Sequence, residues 1–187
     1  MSNKKNLLQQ FIMTRRIIIT SIISVLLLGL LIWQYFSGGV PSHHILQQKD
    51  LPKISNWWGG LLLPIISWFL IGITEKRVIQ QNELIQNKSF KIIGLFLLGL
   101  SLGIFIVFSF TNNYQLFLDN IPYIFLLLSL FIPIYYAEFI LGFILGMTYT
   151  FGAILPTIFI LIFATAGFLI YRFIRPIILK VKKAVFK

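Results

Sequence analysis

Residues able to do chemistry fall in two places along this chain. The first is a polar stretch from Ser42-His43-His44 through Asp50, Pro52, Ser55 and Asn56 to Trp57-Trp58, and it holds both histidines of the protein. Adjacent imidazoles diverge in a helix or strand, but a loop lets them turn toward one ion. Asp50 would then be the third ligand of a site that, for zinc, needs three or four. His43, His44, Asp50 and Asn56 are therefore the candidates for a metal or catalytic centre on a membrane-proximal loop. Their spacing matches neither HExxH nor a Cys/His ribbon, so no metal and no cofactor is expected. The plainer expectation is that this Pro- and Trp-rich loop packs onto the rest of the chain.

The second place is Glu138, in Tyr135-Tyr136-Ala137-Glu138-Phe139. A carboxylate in the middle of a membrane helix costs about 2.5–3.5 kcal/mol on insertion scales, so such a group reads as functional. Its roles would be proton relay, cation ligand or a hydrogen bond to a broken helix. Tyr135, Tyr136, Thr148, Tyr149, Thr150 and Thr157 would complete a polar lining. The competing reading sets Glu138 at the turn of a short hairpin, near an interface and in contact with water.

The elements that must position these residues follow from composition. The 187 residues are 58% hydrophobic and 11% charged, against about 25% charged in a soluble domain. A globule of this size lacks the interior to hide so much Leu, Ile and Phe. The expected class is all-α, a polytopic transmembrane helical bundle forming a single integral membrane domain over 1–187. There is no cysteine, so disulfides and thiolate chemistry are excluded. GxSxG, P-loop and paired acidic motifs are missing, which leans the reading away from an enzyme.

Five to six membrane segments, some short or re-entrant, are legible as apolar blocks: 17–36, 57–74, 92–111, 121–134, 135–150 and 152–172. The first exceeds a signal peptide's apolar core, lacks a small-residue cleavage site and ends in Trp33, Tyr35 and Phe36, so it is expected to be a retained anchor. Gly38-Gly39-Val40-Pro41 breaks it, Ser55 or Asn56 can cap the second block, and Pro64 kinks it. Gly99 and Gly103 share a GxxxG spacing in the third block, and Gly142 and Gly146 repeat it later, which suits close helix packing. The 51 residues from Ile121 to Tyr171 hold two full spans, three short ones, or a re-entrant hairpin over about 121–149 followed by one full span over about 152–172, since each full span takes about 20. Pro133, Gly142, Gly146, Gly152 and Pro156 supply the breaks that short segments need.

Charge decides between these options. Two spans in that tract divide the 16 Lys and Arg evenly, eight on each side. An odd number returns the C-terminus to the side of the N-terminus and puts 14 on one side and 2 on the other. The positive-inside rule selects the second arrangement, with both termini cytoplasmic, in a bacterial inner membrane. The formal charge of +11 therefore reports topology and contact with anionic headgroups rather than nucleic-acid binding. In the tail 173–187, Lys180, Lys183 and Lys187 fall on one helical face and Ile177, Ile178, Val181 and Val185 on the other, as in a basic amphipathic helix lying in the headgroup layer.

No molecular activity is named by these features. The leading expectation is a small non-enzymatic membrane component acting by helix–helix association with a partner or a second copy. The alternatives are a transporter or ion pathway through Glu138, and a membrane enzyme using His43, His44 and Asp50 on the outer face.

Overall fold

The structure, a computed structural model, describes residues 2–44, 53–80 and 85–185, and among them the side chains of 10, 12–42, 55–79 and 89–180. The described elements are α1 (Ser2–Phe36), a two-stranded ladder of β1 (Ser42–His44) and β2 (Lys53–Ser55), α2 (Trp57–Gln80), α3 (Ile85–Thr111), α4 (Gln115–Phe131), α5 (Ala137–Phe151), α6 (Ile154–Leu169), a π-helical turn Ile170–Ile174, and α7 (Arg175–Val185). Four stretches are long and apolar enough to cross a membrane: Ile12–Phe36, Trp57–Ile79, Ser89–Thr111 and Ile154–Lys180. Two shorter apolar helices, α4 and α5, lie between the last two. This is the all-α helical class that the composition requires.

The helices overrun the apolar blocks. α1 starts at Ser2 rather than near Ile17, and α2 and α3 extend to Gln80 and back to Ile85, so most of the polar stretch from Glu75 to Lys91 is helical. Lys, Arg, Glu and Gln are good helix formers, and each residue added to an existing helix gains a hydrogen bond without a new nucleation step. The polar stretch from Ser42 to Asn56 departs from a plain loop too. Its ends pair as antiparallel strands, Ser42 with Ser55, His43 with Ile54 and His44 with Lys53.

Contacts group the chain into two compact units, one of Met1–Ile92 with Thr148–Leu155 and the other of Ile93–Met147 with Pro156–Lys187. In the first, α1 and α2 form an antiparallel pair. Arg16 meets Trp68 near one end, and Leu31 lies against Gly60 near the other. Leu27, Leu31 and Leu63 are buried in this unit. α1 ends where Gly38 takes φ +125° and the Gly39 amide donates to the Gln34 carbonyl at 3.0 Å. That six-to-one bond is the Schellman stop, and its positive φ favours glycine.

In the second unit α3 turns back into α4 through Asn112–Tyr114, with Asn113 at φ +56° and Phe105 edge-on to Phe117 at 4.7 Å. α4 stops because Ile132 precedes Pro133. The proline ring pushes its neighbour out of the helical region, and Ile132 is extended at φ −123°, ψ 137°. Phe125 of α4 packs on Phe143 of α5 and on Phe159 and Phe163 of α6, at centroid distances of 5.4, 5.6 and 4.9 Å. One turn further along each, Ser129 meets Gly167. Register thus climbs together in α4 and α6, which makes them parallel.

Candidate functional site

The four glycines of the GxxxG spacings meet one another inside the chain. A methyl group built on Gly99 would strike the carbonyl oxygen of Phe139, and one on Gly142 would strike that of Phe96. A methyl on Gly103 would come 2.7 Å from the Phe143 carbonyl and 3.2 Å from Cα of Gly146. Register rises together along both helices, so α3 and α5 run parallel and cross backbone to backbone. Small residues permit such an approach, and in lipid this close packing replaces the hydrophobic drive available in water. These glycines are thereby occupied within one chain, and Gly142 and Gly146 lie inside α5 rather than at the breaks expected of them.

Glu138 sits in the first turn of α5 and is buried, 4% exposed. The positive end of a helix favours a carboxylate there, by about 0.3–1 kcal/mol. It follows directly on the bend Ile132–Tyr136, where Tyr135 stands edge-on to Tyr136, Phe168 and Tyr171 at 4.9, 5.3 and 5.7 Å. Arg175 lies over the Tyr171 ring at 4.3 Å. The expected polar lining separates into two groups. Tyr135 and Tyr136 are beside Glu138, whereas Thr148 and Tyr149 lie ten or more residues on, about 15 Å along the helix axis. Thr157 is buried in α6. Of the C-terminal lysines, Lys180 is exposed, Lys183 lies in α7, and Lys187 is outside the described residues.

At the other candidate, His43 and His44 occupy consecutive strand positions, and consecutive positions of a strand alternate between faces. Asp50 lies outside the described residues, and among those described no group of three or more His, Cys, Asp or Glu gathers.

Asn56 is different. It is buried (6% exposed), and its amide Nδ2 has no hydrogen-bond partner among the described residues. Its backbone amide donates to the Pro41 carbonyl at 3.0 Å, and its carbonyl accepts from Gly59 at 2.9 Å. The hydroxyl of Ser55, rather than the Asn56 side chain, accepts the Trp57 amide at 3.4 Å at the start of α2. The Asn56 side chain abuts Gly152, which turns α5 into α6 at φ +68°. Beside it, Gln34 is also buried and donates from Nε2 to the Tyr149 carbonyl at 3.1 Å, while Trp33 stacks on Tyr149 at 6.3 Å. Gln34 was not among the expected site residues. The one signal for it is an amide set inside the aromatic run Trp33-Gln34-Tyr35-Phe36 at the end of an apolar block.

Arg16 was missed for the opposite reason, because it read as a flanking charge. Its Nε donates to the Trp68 carbonyl at 2.8 Å, and its guanidinium lies 4.1 Å from the Trp68 ring centroid. A side chain on Gly72 would overlap that guanidinium, and Glu75 adds an attractive charge one turn on. Charged hydrogen bonds contribute about 1.5–3 kcal/mol, and exposed cation–π contacts about 0.5–1 kcal/mol. Arg16→Met is expected to lose about 1.5 kcal/mol of stability, read as a drop in Tm by tryptophan fluorescence in detergent. Arg16→Lys is expected to recover little, since a lysine has no planar fork to stack and donate together. An unchanged Tm in Arg16→Met would show that the contact contributes nothing.

No known protein family, curated protein or solved structure matches this chain.

Proposed function

We propose that this chain is a multi-pass protein of a bacterial inner membrane with six membrane segments and both termini in the cytoplasm, working as a non-enzymatic component through helix–helix association. The alternation of directions supports the topology. α1 and α2 are antiparallel, α3 and α5 run together, and α4 and α6 run together. Six crossings of this kind put 14 of the 16 Lys and Arg on the cytoplasmic side, which is the bias the positive-inside rule describes. Reporter fusions at the C-terminus are expected to be active only in their cytoplasmic form, and fusions near residue 48 only in their external form. External activity at the C-terminus would overturn this topology.

The observation that carries the mode of action is the open space over two helical glycines. Among the described residues, Gly29 in α1 and Gly94 in α3 have nothing within 4 Å of where a side chain would begin. Their small size serves no contact among those residues, while it would let a helix of a second copy or of another membrane protein approach closely. Because the native chain has no cysteine, single Gly29→Cys and Gly94→Cys variants report this directly. Disulfide cross-linking in native membranes is expected to give a dimer or a heteromeric adduct at these positions and none at Gly142→Cys. Monomer alone at both positions would overturn the association reading.

A further inference from the structure

Four buried polar atoms of the first unit have no hydrogen-bond partner among the described residues: Thr20 Oγ1, Gln34 Oε1, Asn56 Nδ2 and Ser67 Oγ. They lie along one seam. On α1, Arg16, Thr20, Leu27, Leu31 and Gln34 recur at intervals of three, four and seven and so share a helical face. That face meets α2, since Arg16 reaches Trp68 and Leu31 lies against Gly60. Asn56, Gly60, Leu63 and Ser67 share a face in the same way. The antiparallel register sets Thr20, one turn beyond Arg16, level with Ser67 and Trp68.

The seam is layered. Thr20 and Ser67 stand toward the Arg16 end, Leu27, Leu31 and Leu63 fill the middle at 4%, 2% and 1% exposed, and Gln34 and Asn56 close the other end. Thr20 and Gln34 are about 21 Å apart along α1. Neither 17–36 nor 57–74 contains a charged residue. A buried polar group without a partner costs about 1–3 kcal/mol, and helix packing alone would be served by apolar side chains at these places. Pro64, next to Leu63, has no amide to give the Gly60 carbonyl, so α2 bends most easily at the leucine layer.

We propose that this seam is a gated path for water and other uncharged solutes of that size, shut in this structure by Leu27, Leu31 and Leu63 and opened by bending of α2 at Pro64. Hydroxyls and amides both donate and accept, as a file of water requires, while an apolar constriction closes by excluding water. A cation finds no carboxylate along the seam and meets the Arg16 guanidinium at one mouth. The inference goes beyond helix association and rests on the membrane reading above.

Because the chain has no cysteine, single cysteines report the path. N-ethylmaleimide crosses lipid but reacts with the thiolate, which forms where water reaches the sulfur. In native membranes Thr20→Cys and Ser67→Cys are expected to be labelled. Phe69→Cys, on the exposed face of α2, is expected to stay unlabelled. Leu31→Ser with Leu63→Ser removes the gate. In liposomes given an osmotic step, stopped-flow light scattering of this variant is expected to show water permeability several-fold above the native protein, with no matching rise in sodium flux. Adding Ser67→Ala to it is expected to bring the rate back toward native. A native-like Tm qualifies the gate variant, and if it fails to fold the cysteine labelling decides. Ser67→Cys as inert as Phe69→Cys overturns the path alone, as does a folded gate variant with native permeability. Sodium flux rising with water flux overturns the selectivity for uncharged solutes. Phe69→Cys labelled as fast as Ser67→Cys overturns the membrane reading itself.

Discussion

Gly142→Ala is expected to destabilise the fold by about 1–3 kcal/mol, the range for overpacking a well-packed contact, although it adds only one methyl group. The methyl would strike the backbone carbonyl of Phe96, and it would also come 3.0 Å from the amide nitrogen of Leu100. Neither obstacle is a side chain that can rotate aside, so α3 and α5 must separate along the whole crossing. Gly99→Ala should behave alike, because its methyl strikes the Phe139 carbonyl. Gly103→Ala should cost less, since its nearest obstacle is at 2.7 Å. Gly94→Ala is the control. None of the described residues lies within 4 Å of it, and alanine is the better helix former by about 1 kcal/mol, so stability should hold or rise. The measurement is Tm of the four purified variants in one detergent, followed by the four tryptophans. A rank order independent of these distances would show that the crossing is not tight in the folded protein.

The same glycines show what the sequence could and could not convey. Their spacing was visible, but GxxxG does not say which helix it faces. That information lies in register, and register depends on the bend at Pro133 that returns α5 alongside α3. The all-α class followed from composition, and the short segments between 115 and 151 from apolar block length taken together with the charge count. The β1–β2 ladder did not, because three-residue strands carry too little alternation to separate from a polar loop. Glu138 was legible as an unusual carboxylate, whereas its position in the first turn of α5 required knowing that Ile132 is extended. Arg16 illustrates the general difficulty. A charge at the edge of an apolar block looks like a topology signal until the hairpin register sets it on Gly72, and no local pattern encodes that distance of more than fifty residues.

Gly152→Ala is expected to cost more than its backbone strain explains, and Asn56 is expected to account for the excess. At φ +68° an alanine adopts the left-handed region, a penalty of about 1–2 kcal/mol for a residue with Cβ. Independently, the new methyl would fall on the side-chain oxygen of Asn56 and come 2.8 Å from its Cγ. Asn56 has little room to yield, because it is buried and its backbone is tied to Pro41 and Gly59. The two causes separate in a double-mutant cycle. Asn56→Ala removes the obstacle, and it also removes a buried amide nitrogen that has no partner among the described residues, so on its own it should be a mild change. In that background Gly152→Ala should retain only the strain, leaving a coupling of about 1–2 kcal/mol between the two positions. Tm values for the wild type, both single variants and the double variant measure it. Additive effects would mean that the α5–α6 turn tolerates a side chain at Gly152 without displacing Asn56. The buried amide would then play no part in holding the α5–α6 turn.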